Sequence, residues 1–436
     1  MKRKWFYERL IYISQTKRKK NTRFGFSLSI AYASSILKEK GFFTSLIDLS
    51  AEDVSDDEII QFIQEHEIQF VFVEMDSFAL NRSSNEESGL HILKIIGRTI
   101  PEVIKVAFGY ACMLDGTDIK QADITLHKDI LSYLINIYGD IMRGLSHHKP
   151  KPYNLDCIPL PDRDLFESIG YYAGNKHSTL LQTSRGCLNG CTFCQRRGWQ
   201  DDVQFHSDDY VYKEMEFLQK RGYKNVWIQD ENFTFNLARA KRILKQWIDS
   251  ALTHGMKLAI SSWTKIDYEF LELAAAANVK IISMGIESAN QEVLEYYAKP
   301  IDLKNVKELV RYADSLGIFT VGNFIIGAPM ENLSMIQNTF SFIKSSGFDQ
   351  VNIKTLDYMI GSKLYESLPR CKYPNAHYFC CTETGLGQFP LKDLHQMKVE
   401  FIREYRMSSK KRLTDKIIRC GTPYDYVFVQ DSRKYR

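Results

Sequence analysis

The sequence predicts an α/β protein built from two parallel sheets in series. The first is a doubly wound domain over residues 1–146, and the second is a partial (β/α)6 barrel over residues 177–360. Three observations predict it. Short apolar runs alternate with helical patterns from about residue 8 onward. The alternation stops at a proline-rich stretch over residues 147–176, and it then restarts for six further βα units. A mostly helical region, 361–436, follows.

Composition sets the outer bounds. Of 436 residues, 44% are hydrophobic and 25% charged, which excludes a disordered chain. The net charge of +4, from 57 basic and 53 acidic residues, creates no polycationic field, so nucleic acid is not an expected partner. No run of about 18 apolar residues is present, so no membrane contact is expected. The basic start, MKRKWFYERL, lacks the apolar core and cleavage site of a secretory signal, and a cytoplasmic protein is the expectation.

In the first domain, LIYIS (10–14), FFTSLIDL (42–49), FVFVEM (70–75) and VIKVAFG (103–109) read as buried parallel strands. SIAYASSILKEKG and DDEIIQFIQEHE carry helical spacing between them, with Gly41 as a stop signal. Such a sheet receives ligands beyond the carboxyl ends of its strands. No GxGxxG follows the first strand, so the dinucleotide fingerprint is missing. The stretch HHKPKPYNLDCIPLPDRDLF (147–166), with prolines at 150, 152, 159 and 161, reads as an extended linker.

The barrel strands are STLLQTS (178–184), NVWIQDE (225–231), KLAISSW (257–263), KIISMGIES (280–288), FTVGNFIIGA (319–328) and QVNIKTLD (350–357). Amphipathic helical segments separate them, several ending in glycine. Chemistry in a parallel barrel belongs at the carboxyl ends of the strands. Residues 391–413 read as a further helix.

Nine cysteines in a cytoplasmic chain point to thiols or metal ligands rather than disulfides. Directly after the first barrel strand comes TSRGCLNGCTFC, a Cys-x3-Cys-x2-Cys loop of Cys187, Cys191 and Cys194. Clustered buried thiols are the bland reading. A zinc site would need a fourth ligand, for which His206 is a candidate histidine. Three thiolates suit an iron–sulfur cluster that leaves one iron open. Gly186 and Gly190 would let the loop wrap closely.

This loop resembles that of the radical SAM enzymes. The resemblance implies that Cys187, Cys191 and Cys194 bind a [4Fe–4S] cluster whose open iron is chelated by S-adenosylmethionine. One electron, from a donor such as flavodoxin or ferredoxin, would then yield methionine and a 5′-deoxyadenosyl radical. No catalytic residue beyond the cluster ligands is implied. Phe193 stands where the family places an aromatic near the adenine, with plain core packing as its alternative. Asp230 and Glu231, in QDENF, are similar to the family's acidic acceptors for the SAM amino group; a helix cap or turn is the bland reading of the same residues. In SMGIESAN (283–290), Glu287 resembles the acid that holds the ribose hydroxyls, with Ser288 beside it. GNFIIGAPMEN (322–332), with Gly327 and Pro329, resembles the segment whose backbone lies along the adenine.

The order of parts, a Rossmann-like domain, a proline-rich seam and this barrel, is similar to the cobalamin-binding radical SAM proteins. FGFSLSIAYASSILKEKGFFTSLIDLS, IPLPDRDLF and DENFTFNLARAKRIL carry that wider resemblance. It implies cobalamin as a second cofactor and methylation of an unactivated carbon in a natural-product, peptide or cofactor precursor. Two segments depart from the pattern, FGYACML (108–114) and LHKDI (126–130), and His127 reads as polar surface rather than a cobalt ligand. A cobalamin-free radical enzyme performing epimerisation, cyclisation or cross-linking is the alternative, and a non-enzymatic metal- or cobalamin-binding protein a distant third. Methylthiotransfer fits less well, because the front domain offers Cys112 alone where several cluster cysteines are needed. Cys371, Cys380 and Cys381 lack a CxxC pair and read as structural thiols, and the runs KRKK (17–20) and KKR (410–412) as solvated surface.

Overall fold

The β-branched and aromatic runs of the first 130 residues pair in parallel. A computed structural model describes residues 9–14, 27–49, 54–75, 82–109, 112–113, 118–135, 153–167, 178–195, 203–359, 361–368, 378–380 and 386–422. It divides the chain into two units, Met1–Lys176 and His177–Arg436.

The first unit contains β1 (Arg9–Ser14), β2 (Phe43–Asp48), β3 (Phe70–Glu74), β4 (Ile104–Phe108) and β5 (Ile124–Thr125) in the spatial order β2-β1-β3-β4-β5. All four pairings are parallel. The order reverses between β1 and β3, which marks the switch point where such sheets accept ligands. Helices α1 (Leu28–Glu39), α2 (Asp56–Glu65) and α3 (Arg82–Thr99) connect the strands. Ser27 caps α1, and Ser55 with Glu58 forms a reciprocal capping box on α2. The two-residue β5 was not expected, since two residues carry no detectable periodicity.

The described part of the proline-rich stretch, 153–167, is not a free linker. Ser35 Oγ donates to Leu160 O at 2.6 Å, Ser34 Oγ to Asp162 Oδ2 at 2.6 Å, and Asp162 N to Ala31 O at 3.0 Å. Leu155, Ile158, Leu165 and Phe166 are buried. Prolines remove backbone donors, so this segment binds α1 largely by accepting from its serines.

The second unit holds β6 (Ser178–Leu181), the short antiparallel pair β7 (Ser184–Arg185) and β8 (Gln204–Phe205), then β9 (Asn225–Ile228), β10 (Lys257–Ser262), β11 (Val279–Glu287), β12 (Phe319–Ile326) and β13 (Gln350–Thr355). The six longer strands form one parallel sheet in sequential order from β13 through β9 to β6, the expected partial barrel. Between them run α4 (Asp208–Lys220), α5 (Leu237–Asp249), α6 (Tyr268–Ala276), α7 (Gln291–Tyr296), α8 (Leu303–Ser315) and α9 (Leu333–Ser346). Side chains of Ser207, Asn236, Asp267, Asp302 and Asn332 accept first-turn backbone N–H groups at five of these helices.

Strand alternation sorts the barrel side chains. Val226, Ile228, Leu258, Ile260, Ile282, Met284, Ile286, Phe324, Ile326, Val351 and Ile353 pack against the helices in one core. Their neighbours Trp227, Ser261, Ser283, Gly285, Asn323 and Asn352 therefore face the other way, into the barrel, and stay partly accessible. That inner wall is polar: Asn352 Nδ2 donates to Asn323 Oδ1 at 3.0 Å, and Asn323 Nδ2 to Ser283 Oγ at 2.8 Å. A final helix, α10 (Leu391–Cys420), packs on edge strand β13 and buries Leu394, Phe401 and Tyr405.

Candidate functional site

The cysteine loop grows from a hydrogen-bonded base. Asp230, just past β9, accepts from Thr183 N (2.7 Å), Thr183 Oγ1 (2.6 Å), Ser184 N (3.1 Å) and Ser184 Oγ (2.6 Å). From α5, the buried Arg239 donates to Thr183 Oγ1 and Thr183 O, both at 3.0 Å, and to His206 O at 2.8 Å. Burial pushes the Asp230 carboxyl up, against the four hydrogen bonds that lower it. A carboxylate has about four lone-pair positions. Those of Asp230 meet these four donors, and the carboxylate supports the base of the loop. Its neighbour Glu231 accepts from Gly186 N at 3.1 Å, one residue before Cys187.

Cys187 and Cys194 are half-buried and Cys191 is buried, and all three are free thiols. Gly186 has φ of 99°, as a tight wrap requires, whereas Gly190 lies outside the left-handed region. The middle of the loop is fastened to the turn after α7: Thr192 N donates to Tyr297 O at 3.1 Å and Thr192 Oγ1 to Tyr296 O at 2.7 Å. Phe193 packs edge-on against Tyr297 at 5.1 Å, within a cluster that includes Ile325 and Leu356, so core packing accounts for one side of its ring. Burial pushes the Cys191 thiol up to about 12; Lys299 opposes this, while Cys194, Glu287 and Cys187 add to it.

Among the described residues no three His, Cys, Asp or Glu side chains converge on a single-ion site. His206 is stacked on Tyr210 at 3.9 Å. Three soft sulfur donors on one glycine-led loop fit a cluster better than a lone ion, because each cysteine then ligates a different iron.

Glu287 ends β11 at a register shift, with φ of 69°, a conformation rare for a residue with a side chain. Its Oε1 accepts from Lys299 Nζ at 2.6 Å, with both side chains over nine-tenths buried. Lys299 also lies 5.3 Å from the centre of the Trp263 ring. This lysine was missed in the sequence. The same bulge turns Ser288 outward: fully buried, its Oγ lies 3.4 Å from Thr339 Oγ1 on α9 and accepts from Asn290 N at 3.2 Å. Ser288 is thus tied to α9 through Thr339.

Gly327 has φ of 94°, and a Cβ there would stand 2.7 Å from Leu394 of α10. The carbonyl of Pro329 accepts from Gln388 Nε2 at 3.3 Å. Glu331, also missed, is buried and accepts from Gly327 N at 2.6 Å and Ala328 N at 3.3 Å through Oε2, while its Oε1 has no hydrogen-bond partner. Burial raises its carboxyl to about 7. The signal for it was present: an acid four residues after a strand-ending glycine.

In the first unit, Ser27 Oγ donates to Glu74 Oε1 at 2.9 Å, joining the start of α1 to the end of β3 at the switch point. His127 has both ring nitrogens engaged, Nδ1 with Cys112 O at 3.1 Å and Nε2 with Asp118 Oδ1 at 2.9 Å. Cys371 and Cys381 lie outside the described residues, as do the KRKK run and the side chain of Cys380.

The site is thus a cysteine loop at the first strand end of a parallel barrel, and residues 181–343 match the family model of the Radical SAM superfamily. The chain is 24% identical over 416 residues to cytidylyl-2-hydroxyethylphosphonate methyltransferase of Streptomyces wedmorensis, covering 78% of this chain and 77% of that one. It is 25% identical over 375 residues to an uncharacterized methyltransferase of Pyrococcus horikoshii, with coverages of 78% and 77%. Its fold is similar to that of the radical S-adenosylmethionine methyltransferase TsrM of Kitasatospora setae, solved with cobalamin and a [4Fe–4S] cluster bound; the TM-score is 0.68 at 15% identity, over 82% of this chain and 77% of that one. The cobalamin-dependent S-adenosylmethionine radical enzyme OxsB gives a TM-score of 0.69 at 15% identity, with coverages of 85% and 62%. Among the described residues no helix is long and apolar enough to cross a membrane.

Proposed function

We propose that this chain is a cobalamin-dependent radical SAM methyltransferase that acts on an unactivated carbon of a small molecule or peptide in the cytoplasm, with a flavodoxin or ferredoxin as electron donor. The supporting observation is that the likeness to TsrM and OxsB extends over more than four-fifths of the chain, so the first unit is matched as well as the barrel. When bound, the cluster supplies the electron that cleaves S-adenosylmethionine, and cobalamin supplies the methyl carrier.

The chain's own residues divide the work. Cys187, Cys191 and Cys194 would hold the cluster on a loop that Asp230 and Arg239 fix from below. Glu231, whose Oε2 accepts from Gly186 N at the start of that loop, would offer an acceptor to the SAM ammonium. Glu287, oriented by Lys299 through Oε1, would accept the ribose hydroxyls through Oε2. The backbone from Gly327 to Pro329, held in shape by Glu331, would lie along the adenine. In the first unit the switch point at Ser27 and Glu74 suits a planar cofactor, and with His127 fully engaged the cobalt would go without that histidine.

Two measurements test this. Anaerobic reconstitution should give about four irons per chain and 5′-deoxyadenosine from SAM, and Cys191→Ala should lose both; full iron and product in that variant would sink the cluster assignment. Reconstitution with hydroxocobalamin followed by gel filtration should show corrin eluting with the protein, and turnover should release S-adenosylhomocysteine. If no corrin co-elutes and only 5′-deoxyadenosine forms, a cobalamin-free radical reaction replaces methyl transfer.

A further inference from the structure

Gly285, on the inner face of β11, leaves room for an ion pair. A Cβ there would stand 2.5 Å from Lys299 Nζ and 2.6 Å from Glu287 Oε1. Lysine rarely gives up water so completely; this one is 4% exposed, bonded to one carboxylate and set over one tryptophan. A buried neutral pair of this kind is weak as a source of stability, since apolar residues of similar volume often serve as well. Its location suggests another use. The turn that carries Lys299 is bonded to the cysteine loop at Thr192, the residue after Cys191, and Ala298, with φ of 49°, makes the bend that returns Lys299 to the barrel.

We propose that Lys299 sets the charge environment of the cysteine loop: its ammonium, held between Glu287 and Trp263, favours the reduced form of the cluster that Cys187, Cys191 and Cys194 hold. This rests on the cluster assignment made above. Uptake of one electron from a reductant adds one negative charge at the cluster and moves no proton from Lys299. A fixed cation nearby therefore stabilises the product of reduction, and a fixed anion opposes it. Glu287 is that anion, so the two members of the pair act in opposite directions. Lys299, in contact with both Glu287 and Trp263, couples the SAM-facing wall to the loop.

The test is an anaerobic dithionite titration of the reconstituted full chain, following the EPR signal of the reduced cluster. In Lys299→Met the ratio of reduced to oxidised cluster at a fixed potential should fall about tenfold, which is 59 mV for a one-electron couple. Lys299→Arg should restore it, and Glu287→Gln should move it the other way. A merely structural role would lower iron content without moving the potential of the cluster that remains. Equal potentials in the three loaded variants would overturn the role of Lys299. Failure of the unmodified chain to assemble a four-iron cluster would instead overturn the cluster assignment.

Discussion

Two buried aspartates stand at opposite ends of the same barrel and are satisfied in different ways. At the base, Asp349 immediately precedes β13 and meets charge with charge: Lys416 Nζ lies at 2.7 Å, Arg412 Nη1 at 3.0 Å, and Thr320 N donates at 2.8 Å. At the mouth, Asp230 follows β9 and takes four neutral donors from two residues just ahead of the cysteine loop. The base arrangement cross-links α10 to the sheet, because both cations come from that helix and Lys416 also reaches Ile318 O at 2.8 Å. The mouth arrangement fixes a backbone conformation and brings no second element's charge into contact with the carboxylate. One end holds the barrel together, and the other shapes a loop.

The largest expected effect breaks the base. Asp349→Ala leaves Lys416, which is 2% exposed, with Asp314 at 2.8 Å as its remaining carboxylate, and should cost about 3–5 kcal/mol of stability by urea denaturation. Iron bound per folded chain should not change. If iron falls with stability, the two ends do not divide their work as described.

Asp230→Ala should be next. It strands two backbone N–H groups and two hydroxyls in the interior, at roughly 3 kcal/mol in total. Here iron content should fall as well, and Asp230→Asn, which keeps one acceptor oxygen, should recover part of both. Lost stability with full iron would show that the base of the loop does not control its shape.

The difference between the two ends also explains what could be read in the sequence. Periodicity located all six barrel strands within a few residues, because their outward faces are continuous apolar stripes that must pack on helices. The cysteine triplet was legible because its three members are near neighbours in the chain. What escaped depends on a third dimension. Lys299 reaches Glu287 across twelve residues through a left-handed bend, and Ser288 turns away from the barrel because a bulge shifts the alternation just before it. Asp230 shares its strand end with Glu231 and has the same chemistry; only the positions of Thr183 and Ser184, forty-seven and forty-six residues earlier, decide which of the two is consumed. The base network was invisible for the same reason, with Asp349 and Lys416 sixty-seven residues apart.

A third buried carboxyl, Glu331, sharpens the comparison at the smallest scale. It lies at the mouth like Asp230, takes only backbone donors from Gly327 and Ala328, and leaves Oε1 without a hydrogen bond. Burial outweighs its two hydrogen bonds, as it outweighs the four at Asp230, and the Glu331 carboxyl is raised from its ordinary 4.5 to about 7. Between those values the native state keeps a proton that the unfolded chain has lost. Stability therefore falls as pH rises from about 4.5 to about 7 and is level above that. The gap sets a ceiling of about 3 kcal/mol, and relaxation of the turn should cut it to roughly 1–2 kcal/mol. Glu331→Gln removes the titration while keeping an oxygen for the two N–H groups. Relative to the unmodified chain, the variant should gain that roughly 1–2 kcal/mol between pH 5 and pH 8, read as the difference between their urea midpoints at each pH. A difference that stays constant with pH would mean that Glu331 is ionised in the folded protein and that the turn it braces accepts its charge.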